Sequence, residues 1–200
     1  YIGKKQISEI AIDNTLQLMK NRGPDFQDSR FYNFDDTNIY LLHSRLSIID
    51  LDVRSNQPFS FKGISLVFNG EIYNYIELRV ELKKQGHTFY TDSDTEVLLK
   101  AYIEYGEDCV NHFNGMWAFA IWDENNKKLF ISRDRFAEKP LYYFQDDDGF
   151  YFASEVKAIQ SLSEKKLSIN YDYLRRYLVY GYKFLKKTPD TYFHDIQEIE

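Results

Sequence analysis

Ser65-Leu66-Val67-Phe68-Asn69-Gly70-Glu71-Ile72-Tyr73-Asn74-Tyr75 is the stretch on which the reading of this chain turns. Leu66, Val67 and Phe68 form a short apolar run with strand character. Asn69-Gly70 is a dipeptide that ordinarily ends a strand in a turn. Ile72, Ile76, Leu78 and Leu82 then follow at helical spacing. The expectation is strand, turn, helix. It sets the carboxamide of Asn69 and the main-chain N–H of Gly70 side by side at the mouth of a strand. A side-chain amide beside a main-chain N–H is the donor pair that stabilises a tetrahedral oxyanion. The same residues also suit a plain connection, because an isolated Asn-Gly is usually only a turn.

Downstream, the helix after Asn69-Gly70 runs to about Lys84 and stops at Gly86. Asp92-Ser93-Asp94-Thr95-Glu96 is rich in residues that cap helices, and Val97, Leu98, Ala101 and Tyr102 supply the apolar stripe behind it, up to Gly106. A short helix spans Asp108 to Phe113. Met116 to Trp122 is a dense apolar strand, returned by Leu129 to Ser132. Leu141 to Phe144 and Phe150 to Ala153 make a hairpin around Asp147-Asp148-Gly149. Glu155 to Leu162 and Tyr171 to Tyr182 read as helices, the second with Leu174, Tyr177 and Leu178 inward, and the remainder is linker-like.

Upstream, Ile7, Ile10, Ala11, Leu18 and Met19 are spaced for one buried face of a helix from Ile7 to Lys20, stopped by Arg22-Gly23-Pro24-Asp25. Phe31 to Phe34 and Ile39 to Leu46 are strands around Asp35-Asp36-Thr37-Asn38, with Leu46 to Asp50 continuing extended and Asp52 to Pro58 a polar loop. Strand runs broken by a helix pair predict a layered α+β domain with antiparallel sheets.

The totals narrow the class. With 44% hydrophobic and 28% charged residues in 200, the chain has ordinary globular composition and room for a sizeable core. Seventeen Tyr and 16 Phe suit aromatic-rich strands. A net charge of −6 argues against a nucleic-acid partner. No apolar run approaches membrane-spanning length. One Cys permits no internal disulfide, which suits a reducing, cytoplasmic setting.

Seven segments, in order, carry a resemblance: Arg22-Gly23-Pro24-Asp25; His43-Ser44-Arg45-Leu46-Ser47-Ile48-Ile49-Asp50; Phe68-Asn69-Gly70-Glu71-Ile72-Tyr73-Asn74; Asp92-Ser93-Asp94-Thr95-Glu96; Phe113-Asn114-Gly115-Met116-Trp117-Ala118-Phe119-Ala120; Arg133-Asp134-Arg135-Phe136; and Lys139-Pro140-Leu141-Tyr142-Tyr143. Together they resemble the glutaminase domain of glutamine-hydrolysing asparagine synthetases, class II glutamine amidotransferases of the N-terminal-nucleophile hydrolase superfamily. The resemblance covers residues 1–162. Residues 163–200 resemble the helix and linker toward a C-terminal synthetase domain absent from this chain. It implies a four-layer αββα sandwich, two antiparallel sheets between helical layers. It implies hydrolysis of L-glutamine to glutamate and ammonia, the ammonia passing to an ATP-dependent domain that converts aspartate to asparagine. No metal or other cofactor is expected in this domain; ATP and magnesium belong to the absent one. Family members are often dimers, so a homodimer is a further expectation.

The resemblance assigns roles to matching positions. Asn69 and Gly70 would form the oxyanion hole. Arg45 would hold the glutamine α-carboxylate, for which a planar guanidinium fork is suited, with Leu46, Ser47, Ile48 and Ile49 lining the same wall. Asp94, helped by Glu71, would pair with the α-ammonium group. Arg22 would sit near the loop that closes over glutamine, and His43 is read as packing support. By their residue types alone, Arg45 reads as a solvent-facing strand residue, Asp94 as a helix cap and Glu71 as a first-turn acid.

Two departures stand out. The family's nucleophile is an N-terminal Cys, expected a few residues before Tyr1, and Cys109 lies outside every matching segment. A lone Cys of this kind is ordinarily a small buried hydrophobe. The chain as given is therefore expected to be a piece of a longer protein and not itself to hydrolyse glutamine. Ala137 stands where the family has Gly, which would carry strain if that position takes positive φ. Two alternatives stay open: an amidotransferase serving another acceptor, such as a sugar or a different carboxylate, and a non-catalytic glutamine-binding domain.

Overall fold

The computed structural model describes residues 1–181 and 188–199. In chain order its elements are β1 (Ile2–Gly3), α1 (Glu9–Met19), β2 (Phe26–Phe34), β3 (Thr37–Arg45), β4 (Phe59–Phe61), β5 (Ile64–Ile72), α2 (Tyr75–Lys84) and α3 (Asp94–Tyr105). Then come β6 (Gly115–Asp123), β7 (Lys128–Arg133), β8 (Tyr142–Asp146), β9 (Gly149–Ala153), α4 (Val156–Ser163), α5 (Tyr171–Tyr180) and β10 (Gln197–Glu198). One sheet has the order β10-β8-β9-β1-β3-β2 and the other β4-β5-β6-β7. Every strand pair in both is antiparallel.

The period-two alternation of the strands sorts side chains into three cores. Along β5, Leu66, Phe68 and Ile72 pack with Leu78 and Leu82 of α2 and with Val97, Leu98 and Ala101 of α3. Val67, on the opposite face, packs against Ile39 and Leu41 of β3 and Trp122 of β6, between the sheets. Tyr40 and Leu42 of β3 turn the other way, toward Ala11 of α1 and Ile159 and Leu162 of α4. The layers are thus α1 with α4, the six-stranded sheet, the four-stranded sheet, and α2 with α3. This is the expected αββα arrangement of two antiparallel sheets between helices. Among the described residues no helix is long and apolar enough to cross a membrane.

Two tight hairpins form where the turn residues predict, and a third, β4–β5, closes on Lys62-Gly63, which the sequence reading did not anticipate. β2 and β3 pair from Phe26↔Arg45 to Phe34↔Thr37, closing on Asp35-Asp36. β8 and β9 close on Asp147-Asp148, with Asp146↔Gly149 the last pair.

Five expectations need correction. Asn69-Gly70 does not end its strand: β5 continues to Ile72, with Asn69↔Ala118 and Gly70↔Trp117 in register, and the helix begins only at Tyr75. Ile72 is consequently a strand residue, and Ile76 of α2 is 59% exposed. Leu46 to Asp50 is loop, not extended strand, and bends at Asp50, whose φ is 55°. In α1 the buried residues are Ala11 and Thr15, one turn apart, in line with buried Ile7 just before the helix, whereas Ile10 is 73% exposed and Leu18 half-exposed. In α5 Tyr173 is the buried residue and Leu178 is 72% exposed; Tyr182 lies outside the described residues. Finally, 188–199 is not a free linker. β10 pairs with β8, Ile196 is buried, and Arg133 Nη1 donates to Ile199 O at 2.8 Å.

Candidate active site

The site is built on an edge of β5 that no strand among the described residues covers. β4 pairs with β5 only as far as Phe59↔Leu66. In an antiparallel ladder the main-chain groups of alternate residues point to opposite edges. The N–H of Tyr73 goes to Asn114 O on the β6 side, at 2.7 Å. The N–H groups of Phe68, Gly70 and Ile72 therefore face the uncovered edge. There, Gln57 Oε1 accepts from Phe68 N at 2.6 Å and Asp94 Oδ2 from Ile72 N at 3.1 Å. Gly70 lies between these two capped positions with its N–H toward the cavity. Its φ is not positive; glycine is required for another reason. A Cβ here would stand 2.2 Å from Met116 O and 2.8 Å from Trp117 Cα, so only Gly lets β6 approach. Asn69, on the face toward the other sheet, donates from Nδ2 to Ser154 Oγ at 3.4 Å.

These residues border a cavity of about 380 Å³ between the sheets. Arg45, Leu46, Ile48, Ile49, Asn69, Gly70, Glu71 and Asp94 all line it. Ser47 does not; its main-chain N–H is donated to Asp25 Oδ2 at 2.7 Å. Arg22 also reaches the cavity and pairs with Glu155 at 3.1 Å.

Arg45 is buried and organises its own wall. Nη1 donates to Asp52 O at 3.1 Å and Asn56 Oδ1 at 2.6 Å, and Nη2 donates to Asp50 O. A guanidinium has five N–H donors, so part of the fork stays available for an anion. Asp50 fixes the other side of the loop: its carboxylate accepts from Asp52 N, Ser55 Oγ and Asp92 N at 3.0, 2.6 and 2.8 Å. Burial opposes ionisation of Asp50, but these bonds outweigh it and hold its carboxyl below the usual range.

Asp94 is the first residue of α3 and not its cap. Ser93 is the cap, with Oγ accepting from Glu96 N at 3.2 Å. Burial pushes Asp94 up to about 6, with the charge of Glu71 acting in the same direction against hydrogen bonds from Ile72, Thr95 and Asp94 N–H. Buried Asp94 and half-buried Glu71 thus stand close enough at the cavity for their charges to oppose each other, an arrangement that favours a cationic ligand. His43 also lines the cavity, and burial holds its imidazole down to about 4, so it is neutral near pH 7.

Sequence reasoning missed Gln57, Thr95 and Ser154, which line the same cavity. Gln57 sat in a polar loop and Thr95 in a capping run, where polarity needs no further explanation. Ser154, a polar residue ending the apolar run Phe150 to Ala153, was the one visible signal. Cys109 is fully buried away from the cavity, and burial pushes its thiol up to about 12. Among the described residues no cluster of three or more His, Cys, Asp or Glu side chains could hold a metal.

Residues 1–200 match the profile of the glutamine amidotransferase domain. Asparagine synthetase [glutamine-hydrolyzing] 3 of Bacillus subtilis is 38% identical over 203 residues, covering 98% of this chain and 32% of that protein. Asparagine synthetase [glutamine-hydrolyzing] 1 of the same organism is 41% identical, covering 96% of this chain and 29% of that protein. The chain thus spans about a third of the length of the curated relatives it matches. Among solved structures, the glutamine phosphoribosylpyrophosphate amidotransferase of B. subtilis, complexed with ADP and GMP, superposes with a TM-score of 0.53 at 25% identity, over 64% of this chain and 29% of that one. The fold is that of the N-terminal-nucleophile amidotransferases, and the chain belongs to the glutamine amidotransferase domain family.

Proposed function

We propose that this domain hydrolyses the side-chain amide of L-glutamine and that the protein containing it uses the ammonia to make asparagine from aspartate. The observation that carries the reading is Asn69 next to the edge-facing N–H of Gly70, in a cavity also lined by Arg45, Asp94 and Glu71. A zwitterionic amino acid needs this disposition of charge about its α-carbon: the guanidinium for the carboxylate and the acids for the ammonium group. Bound so, its side-chain amide would extend toward Asn69 and Gly70.

In this reading a cysteine thiolate from the segment preceding Tyr1 attacks the amide carbon, and Asn69 Nδ2 and Gly70 N–H donate to the oxyanion as it forms. The C–N bond breaks, the nitrogen leaves as ammonia after gaining a proton, and water then cleaves the glutamyl thioester to glutamate and free thiol. The sheet supports this placement. β1 is paired on both sides, with β3 and β9, and residues preceding Tyr1 on the same line would run between His43 and Ser154, both at the cavity. ATP and magnesium would act in a separate synthetase domain, so no residue of this chain is assigned to them. A cytoplasmic setting and a homodimer rest on family resemblance alone.

The test is ammonia and glutamate release from glutamine by the full-length protein, with and without aspartate and ATP–magnesium. Glutaminase activity with asparagine formation is expected. Glutaminase activity with no asparagine would keep the site and overturn the acceptor. Absence of glutamine hydrolysis would overturn the reading.

A further inference from the structure

Phe68 is a strand residue whose main-chain groups meet no strand among the described residues on the free side of β5. Its N–H goes to Gln57 Oε1 at 2.6 Å, and its C=O lies 3.1 Å from His43 Nε2. A carbonyl oxygen only accepts, so Nε2 carries the proton and donates. The ring is buried and neutral, and its Nδ1 finds no partner among the described residues. Gln57 is itself buried, with Nε2 3.4 Å from Thr95 Oγ1 on the first turn of α3. One side chain from β3 and one from the loop before β4 thus take the place of a neighbouring strand at one residue. Two residues on comes the N–H read above as an oxyanion donor.

An uncovered strand edge is free to shift and fray. An oxyanion donor is useful only when fixed at about 2.7–3.1 Å from where the charge develops. A displacement of about 1 Å can cost on the order of 10²-fold in rate. We propose that His43 and Gln57 are positioning residues: by clamping both main-chain groups of Phe68 they fix the edge of β5 from which Asn69 and Gly70 address the glutamine amide. The proposal rests on the amidotransferase reading of Asn69 and Gly70. Neither His43 nor Gln57 is given contact with the reacting atoms.

The test uses the full-length protein carrying His43→Leu, Gln57→Met or His43→Gln. A Gln side chain at position 43 can still donate an N–H to Phe68 O. For His43→Leu and Gln57→Met, kcat for glutamine hydrolysis is expected to fall about 10- to 100-fold with KM for glutamine within about threefold, because donor placement acts on the transition state. Hydrogen exchange measured by mass spectrometry over residues 68–72 should quicken in both. His43→Gln should restore kcat to within about threefold of the parent. A rise in KM with kcat retained, a kcat within twofold of the parent in both Leu and Met variants, or no rescue by Gln would overturn the proposal. If the unsubstituted protein does not hydrolyse glutamine, the underlying reading fails separately. Exchange over residues 68–72 then decides the clamp, and unchanged exchange in both variants overturns it.

Discussion

Asp94 Oδ2 accepts the main-chain N–H of Ile72 at 3.1 Å, hooking the first turn of α3 onto the free edge of β5. The carboxylate read as the anchor for an α-ammonium group is thereby also the peg that aligns the oxyanion strand. On the proposed reading, binding and chemistry share one residue.

The first prediction is a pH dependence. Burial raises Asp94 from its ordinary 3.8 to about 6, so the folded protein holds this proton longer than the unfolded chain. The contribution of Asp94 to stability therefore falls as pH rises from about 4 to about 6 and is constant above. On the proposed reading glutamine reverses the preference, because its ammonium group would bind the ionised form. Glutamine affinity, measured by calorimetry, should rise through an inflection near pH 6, and Asp94→Asn should weaken binding and remove the inflection. An affinity independent of pH between 5 and 8 in the unsubstituted protein would contradict this.

Arg45→Lys keeps the charge and loses the fork. Its three bonds to Asp52 O, Asn56 Oδ1 and Asp50 O cannot all be made by an ammonium group that must also meet a carboxylate. KM for glutamine should rise about 10- to 100-fold, as expected for a lost charge-assisted pair. Steady-state kinetics with an unchanged KM would show that Arg45 only braces its loop.

Ala137 has φ 57°, a left-handed conformation imposed by a loop whose N–H groups at Phe136, Glu138 and Lys139 all donate to the Asp134 carboxylate. A Cβ there costs on the order of 1 kcal/mol. Ala137→Gly should raise Tm by about 2–4 °C in a domain of this size, read by calorimetry. A lowered Tm would mean that the loop does not carry this strain.

Gly70→Ala should behave differently from a turn substitution. The added methyl meets Met116 O at 2.2 Å, within the β5–β6 ladder. The domain should lose about 1–3 kcal/mol in denaturant unfolding, with the glutaminase site lost alongside. Full stability in Gly70→Ala would refute the close-approach explanation.

How much was legible divides along physical lines. The hairpins at Asp35-Asp36 and Asp147-Asp148 and the stripe of α3 were readable because turn chemistry and periodicity are local. Asn69-Gly70 misled for the same reason: locally it spells a turn, while the demand for glycine comes from β6, forty-five residues or more away in sequence. Ile10 and Ile76 have helical spacing but lie on the outer faces of α1 and α2, where an outer helix layer has only one side to bury, and Leu178 of α5 is likewise exposed. The matching segments brought together Arg45, Asn69, Gly70, Glu71 and Asp94. Gln57 stayed hidden because its partner, the Phe68 N–H, is a main-chain group that no residue type advertises.

The most direct test of the central claim is the glutaminase kinetics of Asn69→Ala in the full-length protein. If Asn69 and Gly70 form the oxyanion hole, kcat should drop about 10²–10³-fold with KM for glutamine nearly unchanged. A kcat within about threefold of the unsubstituted enzyme would contradict the account.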